Sequence, residues 1–198
     1  MTPKLKVRIC SASSVRILGG SFRGRRVSFN QKDEIRPTLG RIRETVFNWL
    51  SPYIQDSSCL DLFAGSGVLS FEAISRGASF CRSLDIKRSI CQEILKNCKK
   101  LGIEKKRLAI TLQSAEEFLS ENLSVIGEFS IFFLDPPFKE KIILNKIINL
   151  LVQSNYLRSS ALIYIESSIK NAVDFLPLST YRQKKTSSMI YGLYKLNQ

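Results

Sequence analysis

The sequence predicts an α/β fold with a mostly parallel sheet of seven strands. From residue 58 onward, short apolar runs alternate with longer stretches of helical periodicity, which is typical of βαβ units. The last two strand-like runs flank a short polar turn, so an antiparallel hairpin is expected to close the sheet. A chain of 198 residues is long enough for one domain with a full hydrophobic core.

The predicted elements follow one another closely. Strands are expected at residues 58–63, 80–85, 107–112, 129–134 and 161–166, with helices at 67–76, 87–101, 114–123 and 139–153. The final hairpin is expected at residues 178–184 and 189–196. This antiparallel ending distinguishes the chain from dinucleotide-binding folds, whose last strand is parallel.

The sequence divides into three parts. Residues 1–14 are basic and serine-rich without periodicity, which predicts a disordered extension. Residues 15–56 contain short apolar runs around glycines, which predict a small β-hairpin, and then a helix. This helix is expected to have Thr38 as its N-cap and to end at Pro52. Residues 57–198 form the predicted α/β domain.

Positive charge is concentrated in two parts of the sequence. Thirty Lys and Arg residues against 17 Asp and Glu residues give a formal net charge of +13. Seven arginines lie in the predicted hairpin and near the start of the helix, namely Arg16, Arg23, Arg25, Arg26, Arg36, Arg41 and Arg43. A second cluster comprises Lys99, Lys100, Lys105, Lys106 and Arg107. A phosphate polymer is the natural partner of such clusters, and the alternatives are a generally basic composition or a solvated helix face.

Composition also limits the kinds of site that are expected. The chain has no histidine, and its five cysteines, at positions 10, 59, 81, 91 and 98, lack metal-ligand spacing. We therefore expect no metal, and the odd number of cysteines fits the reducing cytoplasm. No apolar segment has the length of a membrane span, so no membrane partner is expected.

Asp135-Pro136-Pro137-Phe138 follows a buried strand and is the most informative motif. Neither proline has a backbone N–H, so the carbonyl oxygens of Asp135 and Pro136 lack their usual partners. With the Asp135 carboxylate they form a group of acceptors suited to two N–H donors, and Phe138 offers a face for a flat ring. These features fit an aromatic amine. The alternative is a strand end at which Asp135 caps a helix.

Polar groups also follow the three preceding strands. Residues 61–67 contain a Gly-x-Gly turn typical of nucleotide-binding βα units, but neither a third glycine nor a Walker lysine follows. A carboxylate at Asp61 disfavours phosphate and favours an ammonium or hydroxyl group. Asp85 ends the next strand, where a carboxylate can bind a ribose. Ser114 and Ala115 follow the third strand, at a position suited to an adenine edge.

These motifs resemble those of Rossmann-like class I S-adenosylmethionine-dependent methyltransferases. Residues 61–67 are similar to their cofactor loop, Asp85 to their ribose-binding acid, and residues 135–138 to the (Asp/Asn)-Pro-Pro-(Phe/Tyr) motif of amino-group methylation. From Val15 onward, nearly the whole chain resembles the bacterial RsmD family, the 16S ribosomal RNA guanine-N2 methyltransferases. Ser114 departs from this family, whose members tend to carry Asn or Asp there. The segments that carry this resemblance are residues 16–20, 23–25, 36–38, 41–50 and 164–166.

The resemblance implies methyl transfer from S-adenosylmethionine to the exocyclic N2 amine of a guanine in 16S ribosomal RNA. The implied cofactor-binding residues are Asp61, Phe63, Ala64, Gly65, Gly67, Asp85, Ile86, Ser114 and Ala115. The implied catalytic residues are Asp135, Pro136, Pro137 and Phe138, and the seven arginines named above are the implied RNA-binding residues. The expected partner is 16S ribosomal RNA or the assembling small ribosomal subunit, and a cytoplasmic monomer is expected.

Two alternatives remain open. An N6-adenine DNA methyltransferase could use the same amine motif, but the chain has no separate sequence-reading domain. A non-catalytic RNA-binding protein with a methyltransferase fold is disfavoured, because the glycine turn and the acceptor motif are both intact. For a guanine, catalysis is expected to depend mainly on orientation, with Asp135 and the Pro136 carbonyl accepting the N2 protons while Phe138 stacks on the flipped base.

Overall fold

The computed structural model describes residues 12–137, 141–154, 157–169 and 178–197. The strands within these residues are β1 (Ala12–Arg16), β2 (Arg26–Asn30), β3 (Ser58–Asp61), β4 (Phe80–Asp85), β5 (Leu108–Leu112), β6 (Ile131–Leu134), β7 (Leu162–Ser168), β8 (Leu178–Lys185) and β9 (Met189–Leu196). The α-helices are α1 (Gly40–Ile54), α2 (Val68–Ser75), α3 (Arg88–Leu101), α4 (Ala115–Glu121) and α5 (Lys141–Gln153). Short 3-10 helices lie at Gln31–Asp33 and Leu123–Glu128.

Seven strands form one central sheet in the order β5-β4-β3-β6-β7-β9-β8. Neighbours from β5 to β7 are parallel, whereas β9 is antiparallel to both β7 and β8. The predicted mostly parallel sheet with its final antiparallel hairpin is therefore confirmed. The strand order reverses between β3 and β6, and in open α/β sheets ligands bind beyond the carboxyl ends of the strands at such a reversal.

Helices cover both faces of this sheet because successive side chains of a strand point to opposite sides. Cys59 and Phe133 belong to the apolar cluster that includes residues of α1, α2 and α3. Leu60 and Phe132 belong to a second cluster, which includes residues of α4 and α5. Strands β3 and β6 are thus buried on both faces, which explains the nearly continuous apolar run of β6.

The N-terminal hairpin of β1 and β2 is fastened to the α/β domain. The Ser28 N–H donates a hydrogen bond to Oδ1 of Asn97 in α3 (2.9 Å), and the Ser21 N–H donates to the carbonyl of Ser75 in α2 (2.7 Å). Gly20 has a φ of +75°, and a Cβ there would overlap the Ser75 carbonyl. The hairpin turn therefore requires a glycine both for its backbone conformation and for its close approach to α2.

Three features differ from the sequence-based expectations. Strand β1 begins at Ala12, so residues 12–14 of the predicted extension are paired with β2, and residues 1–11 lie outside the described residues. The expectation that Thr38 caps α1 is wrong, because Leu39 occupies the N-cap without a side-chain bond and the Thr38 hydroxyl is bound elsewhere. Pro52 does not end the helix. It lies inside the last turn, where a proline removes only one of the final hydrogen bonds.

A buried ion pair joins α1, α2 and the N-terminal hairpin. Arg43 and Glu72 are 3% and 0% exposed, and Nη1 of Arg43 lies 2.7 Å from Oε1 of Glu72. The guanidinium also donates to the carbonyl oxygens of Thr38 (3.1 Å) and Arg16 (3.0 Å). Glu72 in turn accepts a hydrogen bond from the Leu18 N–H (2.8 Å). Both charges therefore have hydrogen-bond partners in a place from which water is excluded.

Replacing Arg43 by alanine should lower the free energy of unfolding by about 3 kcal/mol, because Glu72 would stay buried with the loss of its closest cation. Urea denaturation followed by circular dichroism measures this change. The matched control is Arg41→Ala, at an exposed position two residues earlier, which should change the free energy by less than about 0.5 kcal/mol. Equal effects of the two substitutions would contradict the structural role of the ion pair.

Candidate active site

A row of carboxyl groups lies along the carboxyl edge of the central sheet. In sheet order, Asp85 ends β4, Asp61 ends β3, Asp135 follows β6 and Glu166 lies in β7. Neighbouring strands are about 4.8 Å apart, so the four groups are near one another. Burial raises the pKa of Asp135, and electrostatic repulsion from Glu166 and Asp61 raises it further. The structure thus brings together acidic residues that are up to 105 positions apart in the sequence (166 − 61).

The turn between β3 and α2 adopts a conformation that favours glycine. Gly65 and Gly67 have φ angles of +50° and +73°, which lie in the left-handed region. The Gly67 N–H donates to the carbonyl of Ala64 (2.7 Å). A Cβ on Gly67 would lie 3.0 Å from Phe71 and 3.1 Å from Ile94. The packing of α2 and α3 therefore fixes one tight shape for this turn.

Asp61 is 1% exposed at the end of β3. Its Oδ2 accepts a hydrogen bond from the Ser70 hydroxyl (2.6 Å), whereas Oδ1 has no hydrogen-bond partner among the described residues. Burial raises the pKa of Asp61 to about 6, although Ser70 and the nearby Phe63 backbone act in the opposite direction. A buried acceptor without a donor is unfavourable by about 1–3 kcal/mol. This position therefore favours a ligand with an ammonium or hydroxyl group.

Asp85 connects the glycine turn to the start of α3. One carboxylate oxygen accepts from the Gly65 N–H (3.0 Å) and the other from the Lys87 N–H (2.9 Å). Burial raises the pKa of Asp85, while these two N–H groups lower it. Each oxygen keeps a further lone pair for a ligand. Beside it, Ile86 is 69% exposed and offers an apolar surface for a flat ring.

Ser114 and Ala115 take part in the structure of α4. The Ser114 hydroxyl accepts from the Glu117 N–H (3.1 Å), and the Ser114 N–H donates to the Glu117 carboxylate (3.2 Å). This is a capping box, and Ala115 is 5% exposed. Both donors of Ser114 are occupied by helix capping, so cofactor binding by these two residues stays a prediction.

Asp135 lies between β7 and the segment that precedes α1. Its Oδ2 accepts a hydrogen bond from the Thr38 hydroxyl (2.8 Å). Burial and the neighbouring Glu166 raise the pKa of Asp135 well above its usual range. Glu166 is 4% exposed and accepts from the Tyr164 hydroxyl (2.7 Å), and burial raises its pKa as well. Two coupled carboxyl groups of this kind retain a proton to higher pH than an isolated aspartate does.

The two prolines after Asp135 differ in their surroundings. Pro136 is buried and Pro137 is exposed. No donor among the described residues forms a hydrogen bond with the carbonyl oxygen of Asp135 or of Pro136. These acceptors match those expected from the missing proline N–H groups. Phe138 lies outside the described residues, so its stacking on a base stays a prediction.

Thr38 and Glu166 belong to this site although the sequence reasoning did not assign them to it. The Thr38 hydroxyl contacts a carboxyl 97 positions away, and no local pattern indicates such a contact. Glu166 did carry a signal, since it ends an apolar strand run. A carboxyl that is buried in a strand requires a partner or a function.

The edge segment, residues 31–39 between β2 and α1, crosses the same end of the sheet. The Asp33 carbonyl accepts from Nζ of Lys87 (3.0 Å) at the start of α3. Ile35 lies beside the glycine turn, with its Cγ2 3.7 Å from the position of a Cβ on Gly65. Thr38 reaches Asp135. The edge segment thus passes β4, β3 and β6 in turn.

Six of the seven predicted RNA-binding arginines are exposed, namely Arg16, Arg23, Arg25, Arg26, Arg36 and Arg41. The prediction for Arg43 is wrong, because its guanidinium is enclosed by Glu72 and backbone carbonyls. Arg43 lies between the buried Ile42 and Val46 on the inner side of α1. A cation on that side of the helix serves the internal ion pair rather than a ligand at the surface.

Other site types find little support in the described part of the chain. It contains no group of His, Cys, Asp and Glu residues suited to a metal ion, and none of its helices combines the length and apolarity needed to cross a membrane. The cysteines in these residues, Cys59, Cys81, Cys91 and Cys98, are buried thiols. Burial raises the pKa of Cys59 to about 12, so this thiol is inert.

The sequence is similar to those of known proteins over most of its length. A family model described as "Conserved hypothetical protein 95" matches residues 15–195. The ribosomal RNA small subunit methyltransferase D of Escherichia coli K12 is 38% identical over 186 residues, which are 93% of this chain and 91% of that protein. The chain belongs to the ribosomal RNA small subunit methyltransferase D family. The family and the enzyme class expected from the sequence, a methyltransferase, are thereby confirmed. The methyltransferase D of Haemophilus influenzae is 37% identical over 182 residues, covering 91% of this chain and 93% of that protein.

Solved structures agree with the methyltransferase D assignment. The putative methyltransferase yhhF from Escherichia coli is 34% identical, with a TM-score of 0.81, and the match covers 93% of this chain and 99% of that one. An RNA methyltransferase from Salinibacter ruber in complex with S-adenosyl-L-homocysteine is 13% identical, with a TM-score of 0.61 over 82% of this chain and 95% of that one. At this low identity, the similarity to the Salinibacter ruber protein supports the fold alone. The predicted class I methyltransferase fold is confirmed.

Asp61→Asn should reduce the pH dependence of stability. The pKa of Asp61 is about 6 in the folded protein and about 3.9 when unfolded. The folded state therefore binds more protons between these values, and the free energy of unfolding should fall as the pH rises from about 4 to 6. Asp61 contributes about 3 kcal/mol at most to this fall.

Urea denaturation at pH 4.5 and pH 7 measures the difference between wild type and variant. Asp85 and Asp135 also lower the free energy of unfolding as the pH rises, because their pKa values are raised too. They do so in both wild type and variant. Glu104→Gln, which removes an exposed carboxyl, is the control and should leave the difference unchanged. An unchanged difference for Asp61→Asn would contradict the assigned pKa.

Proposed function

We propose that this protein transfers a methyl group from S-adenosylmethionine to the exocyclic N2 amine of a guanine in 16S ribosomal RNA. The observation that carries the proposal is the position of the Asp135 and Pro136 acceptors beside the unpartnered oxygen of Asp61, at the reversal of the strand order. The first group suits an aromatic amine and the second a cationic cofactor. The relatives' shared name, ribosomal RNA small subunit methyltransferase D, supplies the substrate class.

The edge residues fit S-adenosylmethionine in charge and shape. Oδ1 of Asp61, which has no hydrogen-bond partner among the described residues, would accept from the ammonium group of the cofactor. The turn at Gly65 and Gly67 permits a close approach of the backbone, and Asp85 has lone pairs for ribose hydroxyls. Ile86 offers an apolar face to the adenine. When bound, the cofactor supplies a methyl group activated by its positively charged sulfur.

The acceptor groups orient the target amine. In a guanine, the lone pair of N2 is delocalised into the ring, so its attack depends on geometry. Asp135 and the Pro136 carbonyl accept hydrogen bonds from the two N–H groups of N2. This arrangement directs the lone pair of N2 towards the methyl group. Thr38 fixes one oxygen of Asp135 through its hydrogen bond, which leaves the other oxygen for the amine. A base in a duplex must be flipped out to reach these groups.

The proton released by the reaction has an acceptor within the site. Methyl transfer forms a bond from N2 to carbon, breaks the bond from carbon to sulfur and leaves an extra proton on N2. When ionised, the Asp135 carboxylate is a stronger base than a hydrated aspartate, because burial and Glu166 raise its pKa. In our proposal Asp135, which the Thr38 hydroxyl holds at the site, takes this proton rather than water.

The proposed RNA surface comprises the exposed arginines of the N-terminal hairpin, the edge segment and α1. Arg23 projects from the hairpin turn, while Arg25 donates to the Lys100 carbonyl (3.4 Å) and Arg26 to the Ser14 hydroxyl (2.8 Å). These guanidinium groups remain exposed for phosphate oxygens. In our proposal the enzyme acts as a monomer in the cytoplasm, on 16S ribosomal RNA alone or in the assembling small subunit.

Asp135→Ala should reduce methyl transfer by at least about 100-fold, because both an orienting acceptor and the proton acceptor are lost. Affinity for the cofactor and for RNA should stay nearly unchanged. The measurement is transfer of label from tritiated S-adenosylmethionine to undermodified small-subunit RNA, with duplex DNA as a second substrate. Glu128→Ala, which removes an exposed carboxyl, is the control.

Full activity of the Asp135→Ala variant would contradict the proposed mechanism. Label in DNA but not in RNA would favour the adenine alternative instead. Asp135→Asn separates the two roles of the carboxyl, because it keeps an acceptor oxygen but is a much weaker base. If Asp135 is the proton acceptor, this variant should be nearly as impaired as the alanine variant.

The triple substitution of Arg23, Arg25 and Arg26 by alanine should weaken RNA binding and flatten its salt dependence. The slope of log K against log salt should fall by roughly two to three units, because about 0.7–0.9 unit is lost per phosphate contact. Fluorescence anisotropy at several salt concentrations measures the slope.

A control triple substitution removes the same charge elsewhere. Lys96, Lys146 and Arg158 are exposed and lie outside both basic clusters of the sequence, so their replacement by alanine should have a much smaller effect. Equal slopes for the two triple variants would place the RNA away from the hairpin.

A further inference from the structure

A cationic cleft lies between α1 and the β8–β9 hairpin. It has a volume of about 490 Å³ and is lined by Arg41, Thr45, Lys184, Thr186, Ser187 and Tyr191. Two of these residues carry positive charge and none is acidic. Arg41 and Lys184 are both exposed, and neither forms an ion pair within the described part of the chain. The cleft therefore has uncompensated positive charge.

Each wall of this cleft has hydrogen bonds of its own. The Thr45 hydroxyl donates to the carbonyl of Arg41 (2.9 Å). In the β8–β9 turn, the Thr186 N–H donates to the carbonyl of Met189 (2.8 Å), and the Thr186 hydroxyl oxygen accepts from the Met189 N–H (3.1 Å). The N–H and hydroxyl of Ser187 have no partner among the described residues. The cleft thus has two hydrogen-bond donors, both from Ser187, that are available to a ligand.

The cleft is close to Asp135 along two elements. Arg41 follows Thr38 by three residues, so their Cα atoms are at most about 11 Å apart, and the Thr38 hydroxyl contacts Asp135. On the other side, Tyr191 in β9 is paired with Glu166 in β7, whose carboxyl acts directly on Asp135. The cleft therefore lies near the acceptor groups at the end of β6.

We propose that this cleft binds a backbone phosphate of the RNA strand next to the target guanine. The proposal rests on the proposed function, since it concerns the same substrate. A guanidinium, an ammonium, a hydroxyl and a backbone N–H are the groups with which proteins bind phosphate oxygens. They come here from Arg41, Lys184 and Ser187.

Such a contact has a definite role in the reaction. A nucleotide that is flipped out of its stack is carried by the backbone on either side, and unstacking it is unfavourable by a few kcal/mol. A phosphate held beside Asp135 offsets part of this cost and fixes the strand. The cleft contributes position and affinity, and it reads no base.

The test compares Lys184→Ala with Lys185→Ala, which remove the same charge from neighbouring positions of β8. Successive side chains of a strand point to opposite faces, and of these two only Lys184 lines the cleft. Lys184→Ala should weaken the affinity for undermodified small-subunit RNA roughly fivefold and lower the salt slope by about 0.7–0.9 unit. It should raise KM for RNA and leave cofactor affinity unchanged, whereas Lys185→Ala should change none of these quantities.

Fluorescence anisotropy over a salt series and steady-state kinetics give these values, and thermal melting confirms that both variants are folded. Equal behaviour of the two variants, with a wild type that methylates RNA, would overturn the phosphate site and leave the proposed function intact. Unchanged affinity of Lys184→Ala for free RNA, with loss only on subunit particles, would assign the cleft to a protein contact and also overturn it. If the wild-type protein transfers no label to RNA, the proposed function itself is contradicted.

Discussion

The buried ion pair between Arg43 and Glu72 positions the N-terminal part of the chain on the α/β domain. The same guanidinium holds the Thr38 carbonyl, and the Thr38 hydroxyl holds the Asp135 carboxyl. A continuous series of contacts therefore leads from the packing of α1 on α2 to the group that is proposed to bind the target amine. Since a lone buried charge is far less favourable than a buried pair, the two residues also select this one arrangement of helix and hairpin over others.

Negative and positive side chains are concentrated in different parts of this protein. The formal net charge is +13, yet the carboxyl edge of the sheet carries Asp61, Asp85, Asp135 and Glu166 close together. Buried carboxylates in a site of low dielectric favour a positively charged group, while exposed arginines favour a polyanion at the surface. A cationic methyl donor and an RNA thus meet opposite potentials within one domain, and each is disfavoured at the place of the other.

The sequence predicted the sheet, its final hairpin and the position of the strand ends, because alternating elements and the Asp-Pro-Pro motif are local patterns. Residues 80–85 and 189–196 were expected as strands and are β4 and β9. The errors concern residues whose role depends on distant partners. Thr38 bonds Asp135 instead of capping α1, and Arg43 faces Glu72 instead of the surface. The cleft of Arg41 and Lys184 joins two segments more than 140 positions apart (184 − 41 = 143), and no sequence motif indicates it.

The edge segment connects the hairpin that carries Arg23, Arg25 and Arg26 to α1, and on the way it contacts Lys87, the glycine turn and Asp135. One stretch of backbone is therefore a neighbour of both proposed ligands. If RNA bound to the hairpin shifts this stretch, the affinity for the methyl donor changes, and thermodynamic linkage requires that the donor change the affinity for RNA by the same factor. Substitutions in residues 31–39, which carry none of the reacting atoms, would then change the strength of this coupling.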